Sequence, residues 1–147
     1  MDYINKMQLT IPALSLNESF ARGVVGAFCV SINPTLEQIN DLKTAVSEAV
    51  TNCVVHGYKN QQGNITIDAT LFADRVEITI TDFGVGIENV EQAMQPFFTT
   101  KPDEERSGMG FTVMQAFMNK VVLSSQPGKG TTLKMTKFFN IKEDIDA

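Results

Sequence analysis

Apolar and polar residues alternate along five short stretches of the chain, which is the pattern of β-strands with one buried face. The predicted strands cover residues 7–11, 65–71, 76–80, 121–125 and 131–139. Pro12 ends the first strand, because proline cannot donate a hydrogen bond to a sheet ladder. A tight turn near Ala73 and Asp74 joins the second and third strands into a hairpin, and residues 127–130 form the turn between the last two.

Three other stretches repeat apolar residues every three or four positions, which predicts amphipathic helices. Ser15 with Glu18, and Thr35 with Gln38, have the spacing of capping boxes, so the first two helices are predicted to begin there. The third helix begins near Phe111, and Gly57 is predicted to end the second as a left-handed cap. The residues predicted to face the core are Phe20, Val24, Ala27 and Phe28 in the first helix, Leu36, Ile39, Leu42, Val46, Val50 and Cys53 in the second, and Phe111, Met114, Phe117 and Met118 in the third.

The order of these elements predicts an α/β (α+β) two-layer sandwich, with helices on one face of a mixed, mostly antiparallel sheet. With 147 residues, of which 43% are hydrophobic and 20% charged, the chain has the composition of one globular domain over residues 1–147. No apolar run reaches the roughly 18 residues of a membrane span. The net charge of −5 argues against direct binding to nucleic acid or to an anionic membrane. Cys29 and Cys53 fall on apolar helix faces, so we expect buried thiols in a reducing cytoplasm.

A carboxylate, an amide and an imidazole follow one another at four-residue spacing in the second predicted helix. Glu48, Asn52 and His56 therefore lie on one stripe of that helix. An amide oxygen one turn from a carboxylate suits a magnesium ion that also holds substrate phosphates. Glu48 can alternatively accept a proton from an attacking hydroxyl group or water molecule. Three polar residues alone are more typical of a solvated helix face, but the glycine motifs downstream favour a site.

Asp82 is predicted to end a strand and to open an Asp-x-Gly-x-Gly turn with Gly84 and Gly86. An ionised carboxylate only accepts hydrogen bonds, so it matches the exocyclic amino group of adenine. Glycine lets the backbone approach a flat base closely. The pattern predicts a base-binding turn, although an ordinary Asp-Gly turn has the same residues.

The segment of about residues 94–110 loses periodicity, and segments of this length in compact domains are often functional lids. Gly108 and Gly110 precede the third helix, whose free amide groups form a phosphate site. Lys101 and Arg106 can add positive charge to the terminal phosphate. The sequence thus predicts a nucleotide site with an ATP lid over about 94–110.

The motifs occur in a fixed order: Glu-x-x-x-Asn-x-x-x-His at 48–56, Asp-x-Gly-x-Gly at 82–86, Gly-x-Gly at 108–110 and Gly-Thr at 130–131. In this order they resemble the GHKL ATPase/kinase superfamily, which includes histidine kinases and type II topoisomerases. The segments 17–22, 47–52, 96–102 and 105–111 more narrowly resemble the anti-sigma F factor family of spore-forming bacilli, and the similarity covers nearly the whole chain. The resemblance implies the GHKL (Bergerat) ATP-binding fold.

The resemblance also implies a function. A protein of this kind is expected to bind and inhibit a sporulation RNA polymerase sigma factor of the sigma-F type. As an ATP-dependent protein serine kinase using Mg²⁺, it is expected to phosphorylate and inactivate its anti-anti-sigma factor, and to act as a cytoplasmic homodimer that contacts neither nucleic acid nor membrane. Two alternatives stay open: a stress-response type of anti-sigma kinase, and an ATP-gated sigma-binding module without phosphotransfer.

Site residues are implied by the same resemblance. Glu48 is expected to be the general base and Asn52 a magnesium ligand, while Asp82 reads the adenine. Glu18 and Arg22, one turn apart on the first helix, are expected to contact the sigma factor and its competitor, whereas their spacing alone indicates only a surface ion pair. The other residues expected to bind the nucleotide are Gly84, Gly86 and Thr131 around the base, and Lys101, Arg106, Ser107, Gly108, Met109 and Gly110 around the phosphates.

Overall fold

The computed structural model describes residues 2–95 and 110–139, and its centre is a five-stranded sheet. The strands are β1 (Asn5–Pro12), β2 (Asn64–Leu71), β3 (Arg75–Asp82), β4 (Lys120–Ser125) and β5 (Thr131–Phe138). They lie in the order β1-β2-β3-β5-β4. All four ladders between these described strands are antiparallel, so the sheet is purely antiparallel rather than mixed. The five predicted strands are confirmed within one or two residues at their ends.

The sheet buries one face and leaves the other polar, as the alternation of residues predicts. Ile67, Ile80 and Leu133 stand opposite one another on β2, β3 and β5 and are nearly inaccessible to solvent. Next to them in the same cluster lie core residues of three helices: α1 (Asn17–Phe28), α2 (Leu36–Asn52) and α4 (Gly110–Phe117). The helices therefore cover a single face of the sheet, and the predicted two-layer arrangement is confirmed.

Helix α1 differs from its prediction in its start and in its buried face. It begins at Asn17, and the residue before it, Leu16, makes no side-chain cap. The predicted capping box at Ser15 is therefore wrong, because the first amide groups bond to backbone carbonyls, including that of Leu14 (2.9 Å). The buried residues are Ala21, Val25 and Gly26, whereas Phe20 is 52% exposed and Ala27 is also exposed. The small residues let α1 lie close to α2, which rotates the buried stripe away from the larger side chains.

Helix α2 begins as predicted and ends differently. The Thr35 hydroxyl accepts the Gln38 amide proton (3.1 Å) and the Gln38 side chain accepts that of Thr35 (2.8 Å), which confirms this capping box. Leu36, predicted to be buried, is 77% exposed because it precedes the part of the helix that packs on the sheet. After Asn52 the chain widens into a π-helical turn, Cys53–Gly57, in which the Tyr58 amide bonds to the Cys53 carbonyl (2.9 Å).

Gly57 is not the left-handed cap that the sequence suggested. The left-handed residues after α2 are Lys59 (φ 52°) and Asn60 (φ 62°). Gly57 is required for space instead, since a Cβ atom there would lie 2.7 Å from Oδ2 of Asp82. The end of α2 and the end of β3 are therefore in direct contact.

Three further features of the described residues concern a short helix, the cysteines and the length of the helices. Helix α3 (Val90–Ala93) is a single turn, capped by the Asn89 side chain, that the sequence pattern did not predict. Both cysteines are free and buried, as predicted. Among the described residues, no helix combines the length and apolar character required to cross a membrane.

Candidate functional site

A cavity of about 260 Å³ lies between the end of α2, the ends of β3 and β5, the loop after Asp82 and the start of α4. It brings together residues that are far apart in sequence. Its walls are formed by Asn52, Cys53, His56, Gly57, Lys59, Ile80, Asp82, Val85, Gly86, Ile87, Glu88, Asn89, Gln92, Ala93, Gly110, Phe111, Leu123, Thr131 and Leu133. Among them are five of the residues that the sequence predicts to form the nucleotide site: Asn52, Asp82, Gly86, Gly110 and Thr131.

Asp82 is the buried charge of this cavity. Its side chain is 3% exposed, at the end of β3. Burial raises the pKa of this carboxyl group above its ordinary value of 3.8, and hydrogen bonds from the Gly84 amide (2.9 Å), the Cys53 thiol and the Thr131 backbone counteract the rise. Desolvation and the neighbouring Asp82 carboxylate hold the pKa of Cys53 well above 9.0, so the thiol stays a protonated donor. These donors fix the position of the carboxylate at one end of the cavity.

The turn after Asp82 depends on the small size of its glycines. At Gly84 a Cβ atom would overlap the backbone carbonyl of Gly57, and the adjacent Val85 amide donates to that same carbonyl (2.9 Å). Gly86 has a φ of +78°, which side chains rarely tolerate. The Asp-x-Gly-x-Gly motif thus docks against the end of α2, in addition to forming a turn.

The hydroxyl groups of Thr131 and Ser125 link the loop after Asp82 to the ends of β4 and β5. Thr131 is the ladder partner of Asp82, and its Oγ1 lies 3.0 Å from Oγ of Ser125. Ser125 donates to the Gly130 carbonyl (2.7 Å) and accepts the Ile87 amide proton (2.8 Å). Ser125 was not predicted from the sequence because a serine at the end of a strand has no distinctive local signal.

The polar stripe of α2 reaches the cavity only in part. Asn52 and His56 line the cavity, whereas Glu48, one turn earlier and partly buried, does not. Nδ2 of Asn52 is buried and has no hydrogen-bond partner among the described residues, which is costly unless an acceptor from elsewhere supplies one. The π-helical turn after Asn52 alters the regular four-residue spacing that placed His56 on the same stripe.

The start of α4 forms the far end of the cavity. Gly110, its first residue, and Phe111 both line the cavity. Lys101, Arg106, Ser107, Gly108 and Met109 lie outside the described residues, as does the predicted lid except for its ends at residues 94, 95 and 110.

The two residues predicted to bind a partner lie away from this cavity, on α1. Nη1 of Arg22 donates to Glu18 (2.9 Å) and to the Ser47 hydroxyl on α2 (3.2 Å). The Arg22 side chain remains 42% exposed. These bonds hold the guanidinium group at the surface where α1 meets α2. Its partner on α2, Ser47, directly precedes Glu48.

Comparison with known proteins agrees with this architecture. Residues 12–137 match the family described as "Histidine kinase-like ATPase domain". The chain is 56% identical over 138 residues to the anti-sigma F factor of Thermoanaerobacter sp. (strain X514), covering 94% of this chain and 96% of that protein. It is 52% identical over 140 residues to the anti-sigma F factor of Clostridium acetobutylicum, covering 95% and 98% of the two chains.

A solved structure supports the fold independently. The RsbU and RsbW domains of Rv1364c from Mycobacterium tuberculosis superpose with a TM-score of 0.66 at 19% identity, covering 95% of this chain and 33% of that one. At this identity the likeness concerns the fold alone. The family match and the two relatives go further: this chain belongs to the anti-sigma F factors and is built on a histidine kinase-like ATPase domain.

Proposed function

We propose that this protein binds ATP, holds a sporulation sigma factor of the sigma-F type inactive, and phosphorylates a serine of the anti-anti-sigma factor that competes for it. The observation that carries the proposal is the convergence of Asn52, Asp82 and Gly110 on one cavity, in a chain related to anti-sigma F factors. These residues come from the end of α2, the end of β3 and the start of α4. The single domain over 1–147, with its ATP lid at about 94–110, is part of the proposal.

The adenine base is proposed to bind at the Asp82 end of the cavity. The Asp82 carboxylate accepts a hydrogen bond from the exocyclic amino group, and Gly84 and Gly86 allow the base to lie close to the backbone. Thr131 contacts the base through water. The side chains of Ile80 and Leu133 line the same cavity and supply its apolar surface.

The phosphates are proposed to extend towards Asn52 and the amide groups at the start of α4. A magnesium ion is proposed to be held there mainly by phosphates and water. Asn52, which lines the cavity at the end of α2, is proposed as a neutral ligand through its side-chain oxygen. When bound, Mg²⁺ would neutralise charge on the phosphates. The remaining phosphate contacts are assigned to Lys101, Arg106, Ser107, Gly108, Met109 and Gly110.

Phosphoryl transfer is proposed to use Glu48 as the general base. The serine oxygen of the substrate attacks the γ-phosphorus, the bond from that phosphorus to the β–γ bridging oxygen breaks, and ADP leaves. The serine proton passes to the carboxylate of Glu48. The phosphoserine adds close to two negative charges. Because this protein carries a net charge of −5, repulsion favours release of the product.

Glu18 and Arg22 are proposed to contact both the sigma factor and the anti-anti-sigma factor. Support comes from the guanidinium group, which the Glu18 and Ser47 side chains orient while the Arg22 side chain stays 42% exposed. We further propose that the protein acts in the cytoplasm as a homodimer.

Arg22→Ala is expected to weaken binding of both partners roughly ten-fold or more, since arginine is often a dominant contact in interfaces. Binding of each partner is measured by calorimetry with ATP present. The matched control is Lys120→Ala, which removes one exposed positive charge from β4. Equal affinities of Arg22→Ala and the unmodified protein for both partners would exclude this surface.

The function as a whole is tested by mixing the protein with Mg²⁺, γ-labelled ATP and the anti-anti-sigma factor. Label on one serine of that factor, and its absence when ATP is replaced by a non-hydrolysable analogue, is the expected result. A parallel gel-filtration experiment with the sigma factor should give a complex that depends on ATP. Tight ATP binding and sigma binding without label would instead support the ATP-gated module, and a preference for the partners of a stress-response pathway would support that type of kinase.

A further inference from the structure

Tyr58 connects two segments that the catalytic motifs do not link. It follows the π-helical turn at the end of α2, and its ring lies against Gly63, where a Cβ atom would overlap the ring. Its hydroxyl group donates to the Asn64 carbonyl (2.6 Å) and accepts the Phe83 amide proton (2.7 Å). Burial raises the pKa of Tyr58 above its ordinary value of 10.0, so the hydroxyl keeps the proton that it donates.

The hydroxyl group occupies a particular place in the sheet. Ile65 and Asp82 are the last partners in the ladder between β2 and β3; Asn64 precedes Ile65 at the start of β2, and Phe83 directly follows the end of β3. An amide and a carbonyl at this position ordinarily bond to each other directly. The tyrosine oxygen stands between them, so it keeps the strand ends apart where the base-binding turn leaves the sheet.

The residue before Tyr58 contacts the same turn on the other side of Gly84. The Gly57 carbonyl accepts the Val85 amide proton (2.9 Å), and the Cα atom of Gly57 lies next to the Asp82 carboxylate. Residues 57 and 58 therefore bind the amide groups of residues 83 and 85. The Asp82 carboxylate itself is bonded to the amide of residue 84 (2.9 Å), between those two anchors.

We propose that Tyr58 is a positioning residue for adenine recognition, although it does not line the cavity. Its hydroxyl group sets where the turn begins and so where the Asp82 carboxylate stands. The inference rests on the proposed function in one respect, namely that Asp82 reads the 6-amino group of adenine. Loss of the hydroxyl group removes the shared partner of the Phe83 amide and the Asn64 carbonyl, so both groups bind water and the turn moves.

The test is Tyr58→Phe, which keeps the ring against Gly63 and removes only the oxygen. Dissociation constants are measured by calorimetry for ATP and for purine riboside triphosphate, which lacks the 6-amino group. We expect the preference for ATP over this analogue to fall about three- to ten-fold, the range for loss of ordinary hydrogen bonds. The KM for ATP should rise while kcat at saturating ATP is unchanged. Hydrogen exchange at the Phe83 amide, measured without nucleotide, should become faster.

Tyr3→Phe is the matched control, because Tyr3 is the other tyrosine of the chain and lies on the surface, 49% exposed. It should leave the preference for ATP unchanged. An equal loss of affinity for ATP and the analogue in Tyr58→Phe, or no change in Phe83 exchange, would overturn the positioning role. If the unmodified protein itself does not prefer ATP to the analogue, the assignment of Asp82 fails and this inference with it. A changed preference without any phosphotransfer would uphold the inference and reject only the kinase.

Discussion

Glu48→Gln should lower the rate of phosphoryl transfer to the anti-anti-sigma factor at least about 100-fold, the usual minimum for loss of a general base. Glutamine has nearly the same size and shape as glutamate, so it keeps the packing of this partly buried position on α2. It cannot accept the serine proton. ATP affinity should stay within about two-fold, since Glu48 does not line the cavity.

The measurement is single-turnover transfer from γ-labelled ATP, with nucleotide binding followed separately by calorimetry. Glu37→Gln is the matched control, because it makes the same change on an exposed position in the first turn of α2. That variant should transfer phosphate at the normal rate. Transfer by Glu48→Gln at a rate close to that of Glu37→Gln would remove Glu48 from its proposed role and point to a base supplied by another residue.

Asp82→Asn should weaken ATP binding about ten- to a hundred-fold, the range for loss of a hydrogen bond to a charged group. The carboxylate accepts bonds from the Gly84 amide, the Cys53 thiol and the Thr131 backbone. An amide group of the same shape directs two protons at such donors, so one contact becomes repulsive and the side chain cannot keep its orientation. The preference for ATP over purine riboside triphosphate should disappear in this variant.

The pH dependence gives a second readout at Asp82. Burial raises the pKa of this carboxyl group, so on acidification it is protonated before an exposed aspartate is. Because the neutral acid is a poor acceptor for the adenine amino group, the preference for ATP should decrease as the pH falls through the raised pKa. The two nucleotides carry the same triphosphate, so the titration of their phosphates cancels in the ratio. Asp82→Asn should give a ratio that does not change with pH.

Without nucleotide, the raised pKa of Asp82 makes the contribution of this group to stability fall as the pH rises. Between the ordinary value of 3.8 and the raised value, the folded protein holds a proton at Asp82 that the unfolded chain has released. The contribution of this group to stability therefore decreases as the pH rises through that window, and Asp82→Asn lacks the decrease. Thermal melts of both proteins across the window measure it. A steeper loss of stability in the variant than in the unmodified protein would contradict the raised pKa of Asp82.

The predicted helices show where sequence patterns succeed and where they fail. The capping box of Thr35 and Gln38 was correct because both bonds are local and three residues apart. The predicted buried face of α1 was only partly correct: Phe28 packs against the core, whereas Phe20 and Ala27 are exposed, because apolar residues occur on more than one side of that helix. Contact with α2 selected the small residues Ala21 and Gly26 and left Phe20 exposed, and no pattern within α1 contains that information.

The candidate site also contains residues that a local sequence pattern predicts and residues that only the fold brings there. Asp82 and Gly86 were identified from five consecutive residues, because a turn that must approach a base needs its acceptor and its glycines at short, regular spacing. Cys53, Tyr58 and Ser125 were not assigned to the site. Each contacts a residue between 25 and 38 positions away in the chain, through a thiol or a hydroxyl group that occurs widely in proteins.

By itself the sequence determined the strands and the start of α2, and it contains the short motifs on which the proposed nucleotide site rests, since these depend on contacts within a few residues. Only the tertiary structure decided which side of α1 is buried, that α2 ends in a π-helical turn, and that Gly57 contacts Asp82. Such features arise when elements distant in sequence compete for the same space. The identity of a single residue does not reveal that competition, because it depends on the atoms that the fold brings against it.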